Sequence, residues 1–181
     1  MNDATRDLRE MVRAIPDYPK TGIIFRDVTT LFGNAEGLAR TVDAIADHVA
    51  GHGIDLIAGI DARGFILGGA LAVRMRKGFV PIRKRGKLPA DVYREEYSLE
   101  YGTDEVEIHK DAVPAGGATV LLVDDLIATG GTAIAAAKLI QRAGGTVPMA
   151  AFAIDLPELG GARKLAGIGI DSYAVMSFEG H

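Results

Sequence analysis

The 181-residue chain contains no cysteine. Disulfide scaffolds, thiolate zinc sites and cysteine nucleophiles are therefore excluded together, and a reducing, cytoplasmic setting is the expectation. Serine is scarce as well: Ser98, Ser172 and Ser177 are the only three, and none stands in a G-x-S-x-G elbow. No G-x-x-x-x-G-K-[ST] phosphate loop and no G-x-G-x-x-G dinucleotide turn occurs. No run approaches the roughly 18 apolar residues of a membrane span, and the charge-mixed start Met1–Glu10 lacks the apolar core of a signal peptide. An excess of positive charge is missing too. Lys and Arg number 20 against 24 Asp and Glu, for a net charge of −4, which disfavours a generic nucleic-acid binder. What the chain has in surplus is glycine, 23 residues or about 13%, against a usual ~7%.

The length fits one domain spanning 1–181. Leu8, Met11, Val12 and Ile15 recur at helical spacing, so a first helix is predicted to end at Pro16. A second helix is predicted from about Ala35 to Ala50, with Asn34 as its cap and Gly51 to Gly53 as its stop. Short apolar runs follow at Leu56–Ile60, Phe79–Ile82, Thr119–Val123, Val147–Ile154 and Ser172–Phe178, with helical stretches after the first and third. This alternation predicts an α/β fold, a parallel sheet covered by helices on both faces. Val92 to Lys110 alternates polar and apolar residues around Gly102-Thr103-Asp104, a polar β-hairpin that by pattern alone could be an ordinary surface hairpin.

The densest chemistry lies in Val120-Leu-Leu-Val-Asp124-Asp125-Leu-Ile-Ala128-Thr129-Gly130-Gly131-Thr132-Ala133. A strand delivers two adjacent carboxylates to the carboxyl edge of the sheet, where open α/β sheets bind ligands. A small-residue turn then enters a helix, whose N-terminal N–H groups suit a phosphate. Ala143-Gly144-Gly145-Thr146 looks similar but follows a helix and precedes a strand, so those glycines read as a helix stop. Paired acids beside a phosphate turn suggest a phosphorylated sugar, with the acids on ribose hydroxyls or near a cationic anomeric carbon. Two solvated acids at a strand end is the plainer alternative.

Val120 to Ala133 resembles the 5-phosphoribosyl-1-pyrophosphate (PRPP) signature of type I phosphoribosyltransferases. Ile15-Pro-Asp-Tyr-Pro19 with Gly22 to Asp27, then Asp61-Ala-Arg-Gly-Phe65, Arg83-Lys-Arg-Gly-Lys-Leu-Pro89 and Tyr97-Ser-Leu-Glu-Tyr-Gly102, resemble the landmarks of the adenine phosphoribosyltransferase family in order. The resemblance covers essentially the whole chain. It implies a type I phosphoribosyltransferase fold with a flexible β-hairpin lid at 91–110, and an N-terminal helix and adenine-side segment at 1–34. It implies transfer of the phosphoribosyl group of PRPP to adenine, giving AMP and pyrophosphate through an oxocarbenium-like transition state.

By the same resemblance, Ala128, Thr129, Gly130, Gly131 and Thr132 would hold the 5-phosphate, and Asp124 and Asp125 the ribose hydroxyls. Arg63, in a turn whose family members often carry a non-proline cis peptide and serine at the place of Ala62, would pair with pyrophosphate. Arg83, Lys84 and Lys87 would lie near that group, close to a homodimer interface. Adenine would sit between Phe25 and Leu126, read by backbone groups near Ile24 and Arg26. On the hairpin, Glu100 would be a general acid/base near the purine N7, and Tyr101 would close over the pyrophosphate side. Mg2+ is expected through the substrate phosphates, with no dedicated metal cage, and His48 and His52 read as surface residues. Neither nucleic acid nor membrane is an expected partner. Arg74 to Lys87 carries seven bases and no acid, yet only Phe79 could stack on a base. A PRPP-sensing regulator is the alternative from another class, and a preference for hypoxanthine or guanine is the alternative within enzymes.

Overall fold

The computed structural model describes residues 8–98 and 102–180. In chain order the elements are β1 (Arg13–Pro16), β2 (Ile24–Asp27), α1 (Thr29–Phe32), α2 (Ala35–His48), β3 (Leu56–Ile60), α3 (Arg63–Met75), β4 (Gly78–Lys84), β5 (Val92–Ser98), β6 (Thr103–His109), β7 (Ala118–Ile127), α4 (Gly131–Arg142), β8 (Gly145–Asp155), α5 (Gly161–Ala166) and β9 (Asp171–Ser177). Among these residues β3 to β9 form one seven-stranded sheet in the order β5-β6-β4-β3-β7-β8-β9. Its centre is parallel, while β6 pairs antiparallel with both β4 and β5.

Alternation along the strands feeds two cores, one on each face. In β7, Leu121 and Val123 join Leu67 and Leu71 of α3 and Val42 and Ile45 of α2. Val120 and Leu122 join Ala133, Ala136, Leu139 and Ile140 of α4 on the other face. Phe152 is fully buried in that second core, where truncation to alanine costs about 3–5 kcal/mol. Helix α3 comes unusually close to the sheet. A Cβ on Gly59 or Gly68 would lie 2.8 Å from the Phe79 ring, so both positions need glycine for that approach.

The helix predicted to run to Ile15 is not what forms. Residues 8–10 are helical, but Arg13–Pro16 is a strand paired antiparallel with Ile24–Asp27, Ile15 opposite Phe25. Pro16 disfavours a helical conformation for the residue before it, and the apolar spacing fits a two-stranded ribbon equally well. Between these strands the Tyr18–Pro19 peptide is cis. The second helix is capped as expected, the Asn34 side chain accepting from the Gly37 amide at 2.9 Å. The hairpin 92–109 is not an ordinary surface hairpin. Tyr97, Val106 and Ile108 are buried in the α4-side core, and β6 is an integral strand of the sheet.

Candidate active site

The sheet order reverses direction at β3: the chain adds β4 on one side of it and β7 on the other. The connecting helices leave on opposite faces, α3 toward one core and α4 toward the other. A crevice therefore opens between the carboxyl ends of β3 and β7, where α/β sheets take their ligands. Two clefts meet there. One, of about 170 Å³, is lined by Arg63 and the continuous run Asp124 to Ala133. The other adds Ile60, Asp61, Ala62, Lys84 and Tyr97, and the two share Arg63, Asp124, Asp125 and Thr132.

Strand β7 is longer than Thr119–Val123, and both acids lie within it rather than beyond its end. The Asp125 amide donates to Asp124 Oδ1 at 2.8 Å. Asp125 is buried, and its Oδ2 accepts a short hydrogen bond from Arg63 Nε. The Arg63 guanidinium meets some desolvation, which lowers its pKa. The hydrogen bond and charge of Asp125, with Asp124 and Asp27, more than reverse this and leave it raised. Desolvation first, then the neighbouring Asp125 charge, push the Asp124 carboxyl well above the usual carboxylate range. The first turn of α3 presses on this pair: a Cβ on Gly64 would sit 2.8 Å from the Val123 carbonyl and 2.9 Å from Asp124 Oδ1.

Ala128, Thr129 and Gly130 form the turn into α4, with Gly130 at φ 81° and Gly131 and Thr132 in the first helical turn. Its 12 residues present their N-terminal amides to the first cleft. The turn is braced from behind by α5. The Gly161 amide donates to the Ala128 carbonyl at 2.9 Å, and Lys164 Nζ to the Thr129 carbonyl at 2.9 Å. Gly161 was not singled out by sequence. A Cβ there would meet the Ala128 carbonyl at 2.5 Å, a crowding that only the three-dimensional packing reveals.

On the opposite wall the Asp61–Ala62 peptide is cis, as the resemblance led one to expect of this turn. Asp61 Oδ2 accepts from Arg83 Nε at 3.1 Å, and Asp104 Oδ2 receives Lys84 Nζ at 2.7 Å and the Tyr97 hydroxyl at 3.1 Å. Tyr97 lines the second cleft together with Thr132 of the first α4 turn. The Lys84 hydrogen bond chiefly holds Asp104 below the ordinary range, and Lys84 in turn is raised. Asp61, Tyr97 and Asp104 thus join the site residues. Asp61 and Tyr97 lie within segments that carry the resemblance, whereas Asp104 read only as hairpin pattern. Arg83 also donates to the Lys87 carbonyl at 3.0 Å, closing the turn that carries both.

Ile24, Phe25 and Arg26 are not among the residues lining these two clefts. They belong to the β1–β2 ribbon, whose Asp27 is close enough for the Arg63 charge to lower its pKa, after the larger effect of its bonds to Thr29. Phe25 is half-buried, edge-on to Tyr18 at 5.3 Å. The Arg26 guanidinium turns away to lie 4.6 Å over the Phe178 ring. Leu126 lines the first cleft and packs on the α3-side core. Glu100 and Tyr101 lie outside the described residues. His48 ends α2 stacked on Tyr173 at 3.8 Å, with His52 beyond it, both exposed.

Among the described residues no three His, Asp or Glu side chains gather as a metal cage. The site's two adjacent oxygen donors, Asp124 and Asp125, suit an ion such as Mg2+ that keeps its waters and is held mainly by substrate oxygens.

A phosphoribosyl transferase domain family matches residues 31–164. An adenine phosphoribosyltransferase of Sinorhizobium medicae is 57% identical over 175 residues, 97% of each chain. Among solved structures, that of the adenine phosphoribosyltransferase from Thermoanaerobacter pseudethanolicus superposes with a TM-score of 0.91 at 46% identity, covering 96% of this chain and 99% of the other. The enzyme from Saccharomyces cerevisiae, solved with an imino-altritol bisphosphate and adenine, superposes with a TM-score of 0.89 at 35% identity, covering 97% and 99%.

Proposed function

This chain belongs to the adenine phosphoribosyltransferase family, and on that premise we propose that it transfers the 5-phosphoribosyl group of PRPP to adenine, releasing pyrophosphate and forming AMP. The observation that carries the reading is the β7–turn–α4 unit. It puts two carboxylates and a phosphate-sized cradle of backbone amides on one wall of a crevice, and basic groups on the other.

Each part of the substrate has a counterpart. The amides and hydroxyls of Ala128 to Thr132 take the 5-phosphate, the α4 N-terminus adding its partial positive charge. Asp124 and Asp125 hold the ribose hydroxyls. As the bond from the anomeric carbon to pyrophosphate breaks, their charge faces the cationic carbon. Arg63, Arg83, Lys84 and Lys87 receive the pyrophosphate that departs with the bonding electrons. The adenine nitrogen forms the new bond and loses its proton, with Glu100 as the acid/base group and Tyr101 closing over the leaving group. Adenine lies between Phe25 and Leu126, its edge read by backbone at Ile24 and Arg26. Magnesium, bound through the substrate phosphates, supplies charge neutralisation of the leaving pyrophosphate. The hairpin shields the reacting carbon from water. We further assign the protein to the cytoplasm as a homodimer. Among its described residues no helix is long and apolar enough to cross a membrane.

Incubation with PRPP, Mg2+ and one purine at a time tests this directly. AMP should form from adenine, with little nucleotide from hypoxanthine or guanine. Absence of AMP, or faster turnover of another purine, would overturn the assignment.

A further inference from the structure

The most deeply buried acid outside the reaction scheme is Glu107, in the middle of β6, whose side chain is 1% exposed. Burying a carboxylate is costly unless hydrogen bonds compensate, so the groups that compensate it reveal what it holds. Oε1 accepts from the backbone amides of Lys87 at 2.9 Å and Leu88 at 2.8 Å. Oε2 accepts from Arg94 Nε of β5 at 3.3 Å. Desolvation alone would raise its pKa, but the amides of Leu88, Gly86 and Lys87 and the Arg94 guanidinium together hold it below the ordinary range, so it is an anion at neutral pH.

Its partners are chiefly main-chain groups of one turn. That turn leaves β4 after Arg83 and Lys84, passes Gly86 at φ 75° and carries Lys87; these three are the cations of the pyrophosphate wall. Glu107 stands directly opposite Arg83 in the β4–β6 register. A bond to a side chain would fix only that side chain, whereas a carboxylate on two successive amides fixes the path of the turn itself. Arg83 closes the same turn from the other side, through the Lys87 carbonyl.

We propose that Glu107 is a positioning residue: its buried carboxylate holds the Lys84–Leu88 turn in the shape that presents Arg83, Lys84 and Lys87 to pyrophosphate. The proposal rests on the pyrophosphate assignment of those three side chains. It predicts an effect confined to one half of the substrate, since the 5-phosphate turn and the adenine side lie on other elements.

The test is calorimetric titration of wild type and Glu107→Gln with pyrophosphate and, separately, AMP, both with Mg2+. Pyrophosphate affinity should fall about tenfold, the scale of one charge-assisted hydrogen bond, while AMP affinity stays within about twofold. In steady-state assays the KM for PRPP should rise while kcat and the KM for adenine hold. Equal weakening of both ligands would show a merely structural role and overturn the proposal, as would no change in either. Should Glu107→Gln fail to fold, Arg94→Gln loosens Oε2 while leaving both amide bonds to Oε1 in place. It should weaken pyrophosphate by about threefold and leave AMP unmoved, and unchanged pyrophosphate binding would overturn the proposal. If wild type bound AMP but not pyrophosphate, the assignment of the basic turn would fail and Glu107's role with it. Binding of neither would remove the proposed reaction itself.

Discussion

Asp124 and Asp125 are consecutive in sequence yet occupy different environments. Asp125 is satisfied by Arg63, whereas Asp124 is desolvated and faces its neighbour's charge. A carboxyl whose folded pKa is raised above its unfolded value makes the fold less stable once it ionises. That penalty disappears as pH falls through the raised pKa. Asp124→Asn keeps an oxygen for the Asp125 amide and removes the charge, so its thermal midpoint should exceed that of wild type at pH 8, and the two should converge on acidification. Turnover should meanwhile drop by about a hundredfold, on the scale of a lost transition-state electrostatic contact. A variant no more stable than wild type at pH 8 would show that the carboxylate is not under strain. Asp104 and Glu107 behave oppositely. Their lowered pKa values contribute stability that is present above the ordinary carboxylate range and lost as pH falls through the depressed values.

At the scale of elements, the described part of the hairpin is built into the sheet. Its root is a sheet strand, and β5 is fastened to α4: Glu95 receives Lys138 at 2.9 Å and Arg142 at 3.6 Å, and Arg142 stacks over Tyr93 at 4.9 Å. Tyr97 donates to Asp104 of the facing hairpin strand and shares the second cleft with Thr132. Tyr97→Phe keeps the buried ring and removes the hydrogen bond to Asp104. It should cost about 0.5–1.5 kcal/mol of unfolding free energy and raise the KM for PRPP several-fold, with unfolding curves and initial rates as the measurements. Much of this layout could be read from sequence. The order strand, acid pair, small-residue turn and helix at 120–142 is local, so periodicity and turn chemistry identify it without tertiary knowledge. The ribbon at 13–27 escaped because a stretch as short as Leu8 to Ile15 satisfies helical spacing and strand pairing alike. Glu107 escaped for a different reason. It stands between the apolar Val106 and Ile108 as the outward member of an alternating strand, and only the turn folded over it converts that exposed position into a buried one.

For the molecule as a whole, Ile66 and Val73 of α3 are 48% and 81% exposed and lie seven residues apart on one helix face. If that face is where two copies meet, Val73→Glu should convert a dimer to a monomer by light scattering, and an unchanged mass would place the contact elsewhere. The same scale reveals what the resting crevice holds. Arg63 faces Asp125, Arg83 faces Asp61 and Lys84 faces Asp104, so three of its cations already have an anion of the protein's own. An arriving polyanion therefore exchanges places with carboxylates instead of meeting bare positive charge, and long-range attraction is cancelled before it arrives. Binding should then depend weakly on ionic strength. The KM for PRPP, measured at fixed free Mg2+ from low to several-hundred-millimolar potassium chloride, should move by less than about threefold. A steep rise with salt would mean that the field at the mouth is positive after all. With these three cations already resting on neighbours, geometry should set selectivity in this crevice: an anion must match three partings at once, and a small, singly charged one has too few contacts to open them.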